Sequence, residues 1–273
     1  MITMIILAVL AIYFLGAPRF MQPLYSKLLF MPHKEQGDGE AFLAEFGSHA
    51  QFVQFNSGKF QLRGCFYSCP DTEHIVLVSL GRDGDIPRRL ELLRVLRDSR
   101  INVFIYEYPG FGKSTGHATI QTVLDSGIAA VEYVVGKLGF KPDKIILFGE
   151  SMGVCTALQQ ASAYDFAGVI LKSGFYSLER VSKERFPILR IYPAMFYPEL
   201  MNNAVILKSL TCPLLIIHGA KDRMVNIRQA HDLAKLNPAA ELVVLPEARH
   251  AYMPDEDKEQ YAQEIVRFLE KLI

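Results

Sequence analysis

In Gly149-Glu150-Ser151-Met152-Gly153 a serine hydroxyl is set between two glycines. The preceding run Lys144–Phe148 reads as a strand and the following Met152–Ala163 as a helix. A serine in so tight a strand-to-helix turn is lifted above the sheet edge, with the helix N-terminus pointing at any oxyanion that forms beside it. Five residues alone are equally compatible with a glycine-rich turn and a helix-capping serine; the flanking strand and helix favour a nucleophile. A hydroxyl is weak at neutral pH, so it needs a base, and the base needs an orienting carboxylate. Downstream, the predicted strand Leu214–His218 runs into Gly219-Ala220-Lys221-Asp222-Arg223, and Glu241–Leu245 runs into Pro246-Glu247-Ala248-Arg249-His250. Asp222 and His250 thus follow the carboxyl ends of two successive strands, the edge on which open α/β sheets build their sites. Ser, then Asp, then His is one of the chain orders in which such a proton relay occurs.

The other titratable residues fit less well. His218 ends the apolar run Leu215-Ile216-Ile217 and reads as a buried, hydrogen-bonded histidine, while His33, His49, His74, His117 and His231 read as exposed. Asp125, Asp143, Asp165 and Glu150 are alternative acids, but only Asp222 combines the position after a strand with the triad order. Cys65 and Cys69, with Cys155 and Cys212 far away, lack the paired short spacings of a structural zinc site. Cys155 reads as a packed small residue. No metal and no cofactor are expected.

The elements that must carry these residues follow from the hydrophobic pattern. Strands are predicted at Gln51–Phe55, Phe60–Tyr67, Ile75–Leu80, Val103–Tyr106, Lys144–Phe148, Gly168–Leu171, Leu214–His218 and Glu241–Leu245. Asn56-Ser57-Gly58-Lys59 is hairpin chemistry between the first two. Ile120, Val123, Leu124, Val131, Val134, Val135 and Leu138 fall on one helix face, and Leu90–Leu96, Met152–Ala163, Ile227–Leu236 and Tyr261–Leu269 behave similarly. The pattern is a mostly parallel sheet with crossover helices, opened by an antiparallel hairpin.

At 273 residues the chain is long enough for one large α/β domain, and 50% hydrophobic residues exclude disorder. Twenty-nine Lys and Arg balance 29 Asp and Glu, so no excess positive charge argues for nucleic acid. Residues 1–17 are apolar apart from Thr3 and Gly16, and no charge precedes Arg19. As a helix they rise about 25 Å, a little short of a hydrocarbon core of about 30 Å. With no basic residue before the run, an uncleaved membrane anchor over residues 1–18 is favoured over a cleaved signal peptide or a buried or interfacial helix. Arg19, Lys27 and Lys34 all follow the run, which favours a cytoplasmic catalytic domain. Residues 19–50 read as a juxtamembrane linker, broken by Pro23, Pro32 and Gly37-Asp38-Gly39, in which only Ala41 to Phe46 forms a short helix.

Tyr108-Pro109-Gly110-Phe111-Gly112-Lys113-Ser114, the Ser151 pentapeptide, Pro213-Leu214-Leu215-Ile216-Ile217-His218-Gly219 with Asp222, and His250 together resemble the α/β-hydrolase superfamily. More narrowly they resemble its N-terminally anchored members, a group that includes protein depalmitoylases. The resemblance implies an eight-stranded, mostly parallel sheet over residues 51–273 and a small helical cap after strand six, about residues 175–210. It also implies a Ser151-Asp222-His250 triad, with the backbone amides of Arg82 and Met152 forming the oxyanion hole. The family's loop after the third strand is here Leu80-Gly81-Arg82-Asp83-Gly84-Asp85, whose acids are unhelpful beside a developing anion unless Arg82, Arg88 or Arg89 offsets them. The same cluster reads equally as a solvated loop with helix-capping acids. The cap carries Phe175, Tyr176, Phe186, Ile191, Tyr192, Met195, Phe196 and Tyr197, suited either to an apolar acyl substrate or to packing on the core. The activity implied is cleavage of a carboxylic ester or thioester of a small or lipid-like acyl substrate, with the membrane as a second partner. An amidase or peptidase with the same triad, and a non-catalytic membrane-tethered binding module, are the alternatives.

Overall fold

The computed structural model describes residues 1–32, 39–82 and 84–273. Among them eight strands form one sheet: β1 (Ala50–Ser57), β2 (Phe60–Tyr67), β3 (Ile75–Ser79), β4 (Asn102–Tyr106), β5 (Ile145–Glu150), β6 (Gly168–Lys172), β7 (Leu214–Gly219) and β8 (Ala240–Leu245). Their order is β1-β2-β4-β3-β5-β6-β7-β8. β2 pairs antiparallel with β1 and β4, and every later neighbour is parallel. Every residue of β3, β4 and β7 is buried, as required of strands covered on both faces.

The described helices are α1 (Ile2–Leu15), α2 (Gln22–Leu29), α3 (Gly39–Phe46), α4 (Leu90–Asp98), α5 (Ile120–Gly136), α6 (Gly153–Ala161), α7 (Leu178–Arg185), α8 (Asn203–Leu207), α9 (Ile227–Ala234) and α10 (Asp255–Glu270). α5 begins where its apolar stripe does, because Thr119 and Thr122 exchange side-chain to backbone hydrogen bonds in a capping box. α6 follows β5 after two residues, which is the geometry the serine turn needs.

The N-terminal region departs from expectation. No helix among the described residues is long and apolar enough to cross a membrane. α1 has 14 residues and rises about 21 Å, so the expected transmembrane anchor is not supported. The apolar run is longer than the helix it forms: α1 stops before Gly16 and Pro18, and the chain turns back onto the cap. Tyr13 stacks on Tyr192 at 4.9 Å between ring centroids, and its hydroxyl donates to the Ile191 carbonyl. Ala17 is fully buried in one small cluster with Tyr192, Phe196 and Tyr197. Residues 22–29 form α2 despite Pro23, because the proline lies in the first turn, where its missing N–H has no helical partner to lose. Phe30 then enters the main core.

The cap after β6 is made of α7, α8 and short 3-10 turns at Pro187–Ile191, Ala194–Phe196 and Glu199–Met201. Pro187, Pro193 and Pro198 each precede or open a turn, and such spacing leaves no room for longer helices. Phe175 and Met201 pack into the main core, and Tyr192, Phe196 and Tyr197 pack against the N-terminal segment.

Candidate active site

The turn between β5 and α6 places Ser151 at φ +54°, a left-handed conformation that costs a non-glycine residue about 1–3 kcal/mol. The surroundings enforce it. A Cβ on Gly153 would stand 2.1 Å from the Ser79 carbonyl oxygen, and one on Gly149 2.6 Å from the Gly153 carbonyl oxygen, so both neighbours of the turn must be glycine. The Ser151 N–H donates to the Lys172 carbonyl at 2.8 Å, which ties the turn to β6.

The three residues singled out from the sequence meet. Ser151 Oγ lies 2.8 Å from His250 Nε2, and His250 Nδ1 lies 2.7 Å from Asp222 Oδ2. Asp222 Oδ1 accepts from the Met224 and Val225 amides at 2.7 and 2.9 Å, so both carboxylate oxygens are occupied. Burial pushes the Asp222 carboxyl up, but the hydrogen bond and charge of His250, the Val225 amide and His218 outweigh it and hold the pKa below the ordinary value. His218 is fully buried and bonds the Val225 carbonyl through Nε2 at 2.9 Å, the same nitrogen lying 3.4 Å from Asp222 Oδ2. Burial lowers the His218 pKa, and because a carbonyl can only accept, Nε2–H is the donor to Val225.

Met152 follows Ser151 in the chain, and Arg82 follows Gly81 in the loop after β3. A Cβ on Gly81 would lie 3.5 Å from Ser151 Cβ, which sets that loop beside Ser151. Among the described residues neither the Arg82 nor the Met152 amide donates to another group. The loop is held from three directions. Tyr108 Oη donates to the Leu80 carbonyl at 2.7 Å, the Met31 amide donates to the Arg82 carbonyl at 3.0 Å, and Glu107 accepts from the Ile86 and Lys113 amides. Asp85, 1% exposed, caps the 3-10 turn Ile86–Arg89 by accepting from the Arg88 amide. It is therefore a capping acid, as one reading expected, but a buried one; Asp83 lies outside the described residues, as does His33.

Sequence reasoning missed the ionic support. Glu150 pairs with Lys172 Nζ at 2.9 Å and with Arg89 Nε at 2.7 Å, the latter a close ion pair without hydrogen-bond alignment. Burial opposes ionisation of Glu150, yet the charges of Lys172 and Arg89, the Lys172 hydrogen bond and the charge of His250 bring its pKa down to about 2. The triad Arg89-Glu150-Lys172 thereby joins the residue before Ser151 to β6 and to the turn that follows the Arg82 loop. A charged residue between a glycine and a serine at the end of an apolar strand was the only signal for it. Because the folded-state pKa is depressed, the stabilisation is present above the ordinary value of 4.5 and fades as pH falls toward about 2. Glu150→Gln is expected to lower stability at pH 7 by on the order of 3 kcal/mol, with the difference from wild type shrinking between pH 4.5 and 2. Urea unfolding across that range checks it; a pH-independent difference would show that the charge contributes nothing.

One smaller reading changes and one is kept. His74 is buried rather than exposed, because it stands at the entry to β3 where its carbonyl accepts from Asn102. Cys155 is buried and its thiol is pushed up to about 12 by burial, in keeping with a packing role. Of the alternative acids, Asp125 accepts from Gln121 on α5 and Glu150 is held by its cations, and the acid bonded to His250 is Asp222.

Eight strands in this order, with a strained serine between β5 and α6, define an α/β-hydrolase fold. The family model described as Chlamydia CHLPS protein (DUF818) matches residues 68–253, and the chain belongs to that family. α/β-Hydrolase domain-containing protein 17C of Homo sapiens is 32% identical over 176 residues, 63% of this chain and 50% of that protein. The uncharacterized protein YfhR of Escherichia coli O157:H7 is 26% identical over 195 residues, 69% of this chain and 67% of that one. An uncharacterized Mycobacterium tuberculosis protein is matched over 53% of its length, so the chain spans about half of several curated relatives. Among solved structures, the Pyrococcus furiosus esterase Pf2001 superposes with a TM-score of 0.73 at 18% identity, over 89% of this chain and 98% of that one. At that identity the likeness is one of fold.

Proposed function

We propose that the protein is a serine hydrolase that cleaves carboxylic ester or thioester bonds through a covalent acyl-enzyme. The observation that carries this reading is the unbroken line from Ser151 Oγ through His250 to Asp222 at 2.8 and 2.7 Å. Ser151 Oγ attacks the acyl carbon and passes its proton to His250 Nε2, while Asp222 holds Nδ1–H and balances the imidazolium. The carbonyl oxygen becomes an oxyanion that accepts from the Arg82 and Met152 amides. Collapse breaks the bond to the alkoxide or thiolate leaving group, which takes the proton from Nε2. Water then repeats the sequence on the acyl-serine, releasing the acid and restoring the hydroxyl. The charged loop that favoured a non-catalytic module gives that reading little support, since Asp85 is spent on capping. Fluorophosphonate labelling tests the proposal: the folded protein is expected to label at Ser151, and a folded protein that stays unlabelled refutes it.

The membrane remains part of this reading in a different form from a span. α1 is apolar around its circumference and packs on the cap through Tyr13, while Leu7 and Leu10 are exposed, which leaves apolar surface free to meet lipid. The double substitution Leu7→Asp with Leu10→Asp is expected to reduce flotation with neutral phosphatidylcholine vesicles at least about tenfold. Unchanged flotation would remove α1 from membrane contact.

A further inference from the structure

Many arginines elsewhere on the surface sit beside carboxylates: Arg94 with Glu45, Arg180 with Glu184 and Asp232, Arg267 with Glu241 and Glu264. One cleft breaks this pattern. Arg185 at the end of α7, Arg190 in the 3-10 turn of the cap, Arg223 after Asp222 and Arg228 in the first turn of α9 all line a single concavity of about 370 Å³. Among the described residues none of the four is ion-paired; Arg190 Nε donates to the Lys183 carbonyl. The one acid in the lining, Glu184, is already held by Arg180 at 3.1 Å and by Gln229 at 2.7 Å.

Four like charges repel when gathered into one concave space, and a chain with no net charge has carboxylates to spare for them. Their convergence without partners therefore points to an anionic ligand that supplies the missing oxygens. Guanidinium groups present forked donors that match phosphate oxygens, and several directed inward from different elements suit a polyvalent anion better than a single carboxylate. Asn226, which caps α9 by accepting from the Arg228 amide at 3.0 Å, also lines the cleft and turns the positive end of that helix toward it. The volume is in the range of small-ligand sites, and the charged lining selects against an apolar occupant. Arg223 and Met224 of its lining follow Asp222 directly in the chain, and the Met224 amide donates to that carboxylate.

We propose that this cleft is a phosphate-binding subsite that holds an anionic group of the substrate next to the bond to be cleaved. The shared chemistry is a phosphate mono- or diester, carried either by a soluble acyl ester or thioester or by a phospholipid headgroup at a bilayer surface. That the anion belongs to the substrate rests on the serine-hydrolase reading; the binding of phosphate does not.

The test compares the full chain with the double variant Arg185→Gln, Arg228→Gln, and with Arg190→Gln as a second variant, using fluorophosphonate labelling of Ser151 to monitor folding and catalysis separately. Calorimetric titration with inorganic pyrophosphate is expected to show binding that weakens at least about tenfold in the double variant. If the source is a soluble substrate, the KM for a fatty acyl-coenzyme A thioester rises about tenfold in the variant while the KM for an uncharged p-nitrophenyl ester does not. If the source is a lipid, phosphatidylglycerol in phosphatidylcholine vesicles increases flotation of the wild type and not of the variant. Wild type that ignores pyrophosphate, or variants that bind it as wild type does, overturn the subsite. Loss of pyrophosphate binding with neither source responding refutes its link to the substrate. Arginine-dependent pyrophosphate binding in a protein that never labels at Ser151 would leave the subsite standing and sink the hydrolase reading instead.

Discussion

Replacing Ser151 by Ala is expected to lower kcat for p-nitrophenyl butyrate by about a millionfold and to abolish fluorophosphonate labelling, with the Tm nearly unchanged. The size follows from the geometry: the hydroxyl supplies both the attacking atom and the proton that His250 receives, so the relay and the covalent intermediate disappear together. On the proposed mechanism, what survives is stabilisation by the Arg82 and Met152 amides and binding, worth about 10³–10⁴ over water in serine hydrolases. The fold is spared because alanine adopts the φ of +54° at a cost similar to that of serine, and only the bond to His250 is lost. A variant that keeps more than about 1% of the wild-type kcat would show that another group is the nucleophile.

Asp222→Asn is expected to cut kcat by about 10⁴-fold while leaving the backbone in place. Asp222 Oδ1 accepts from two amides, Met224 and Val225, so an asparagine carbonyl oxygen will occupy that position and its NH2 must face His250 Nδ1. An N–H donor there forces Nδ1 to be the acceptor and places the proton on Nε2. The imidazole then donates toward Ser151 Oγ and has no lone pair to take its proton. The loss should fall on kcat rather than KM, because the substrate is not touched. It should also shrink at high pH, where deprotonated serine or hydroxide replaces the general base. A pH–rate profile with the wild-type shape and a less than tenfold loss would exclude Asp222 as the orienting acid.

The parts of this site that were legible in the sequence are those governed by local rules. β2 was predicted residue for residue as Phe60–Tyr67, its start marked by the hairpin turn, and β3, β5 and β7 within two residues, because a buried parallel strand is a short uninterrupted apolar run bounded by turn residues. Ser151, Asp222 and His250 were legible because each follows directly from a strand end. The length of α1 was misjudged because apolarity does not state where a helix stops; Gly16 and Pro18 do. α2 was overlooked because Pro23 was weighed as a breaker rather than as a first-turn residue. The supports of the Arg82 loop were illegible for a different reason. Glu107 to Ile86, Tyr108 to Leu80 and Met31 to Arg82 join residues 21 to 51 positions apart, and no periodicity encodes such pairs. The cap aromatics were compatible with a substrate lid or with packing, and the sequence carried no sign that Tyr192, Phe196 and Tyr197 pack against a partner far upstream in the chain.

That upstream partner has a practical meaning for anyone handling the protein. The first fifty residues resemble a detachable handle, and trimming them is the obvious route to a better-behaved catalytic fragment. Yet Tyr13 and Ala17 brace the cap from beneath, Phe30 plugs the core, and Met31 tethers the carbonyl of Arg82. A fragment beginning at residue 51 would keep its serine, its aspartate and its histidine, and would lose the strap that ties down the loop carrying Arg82.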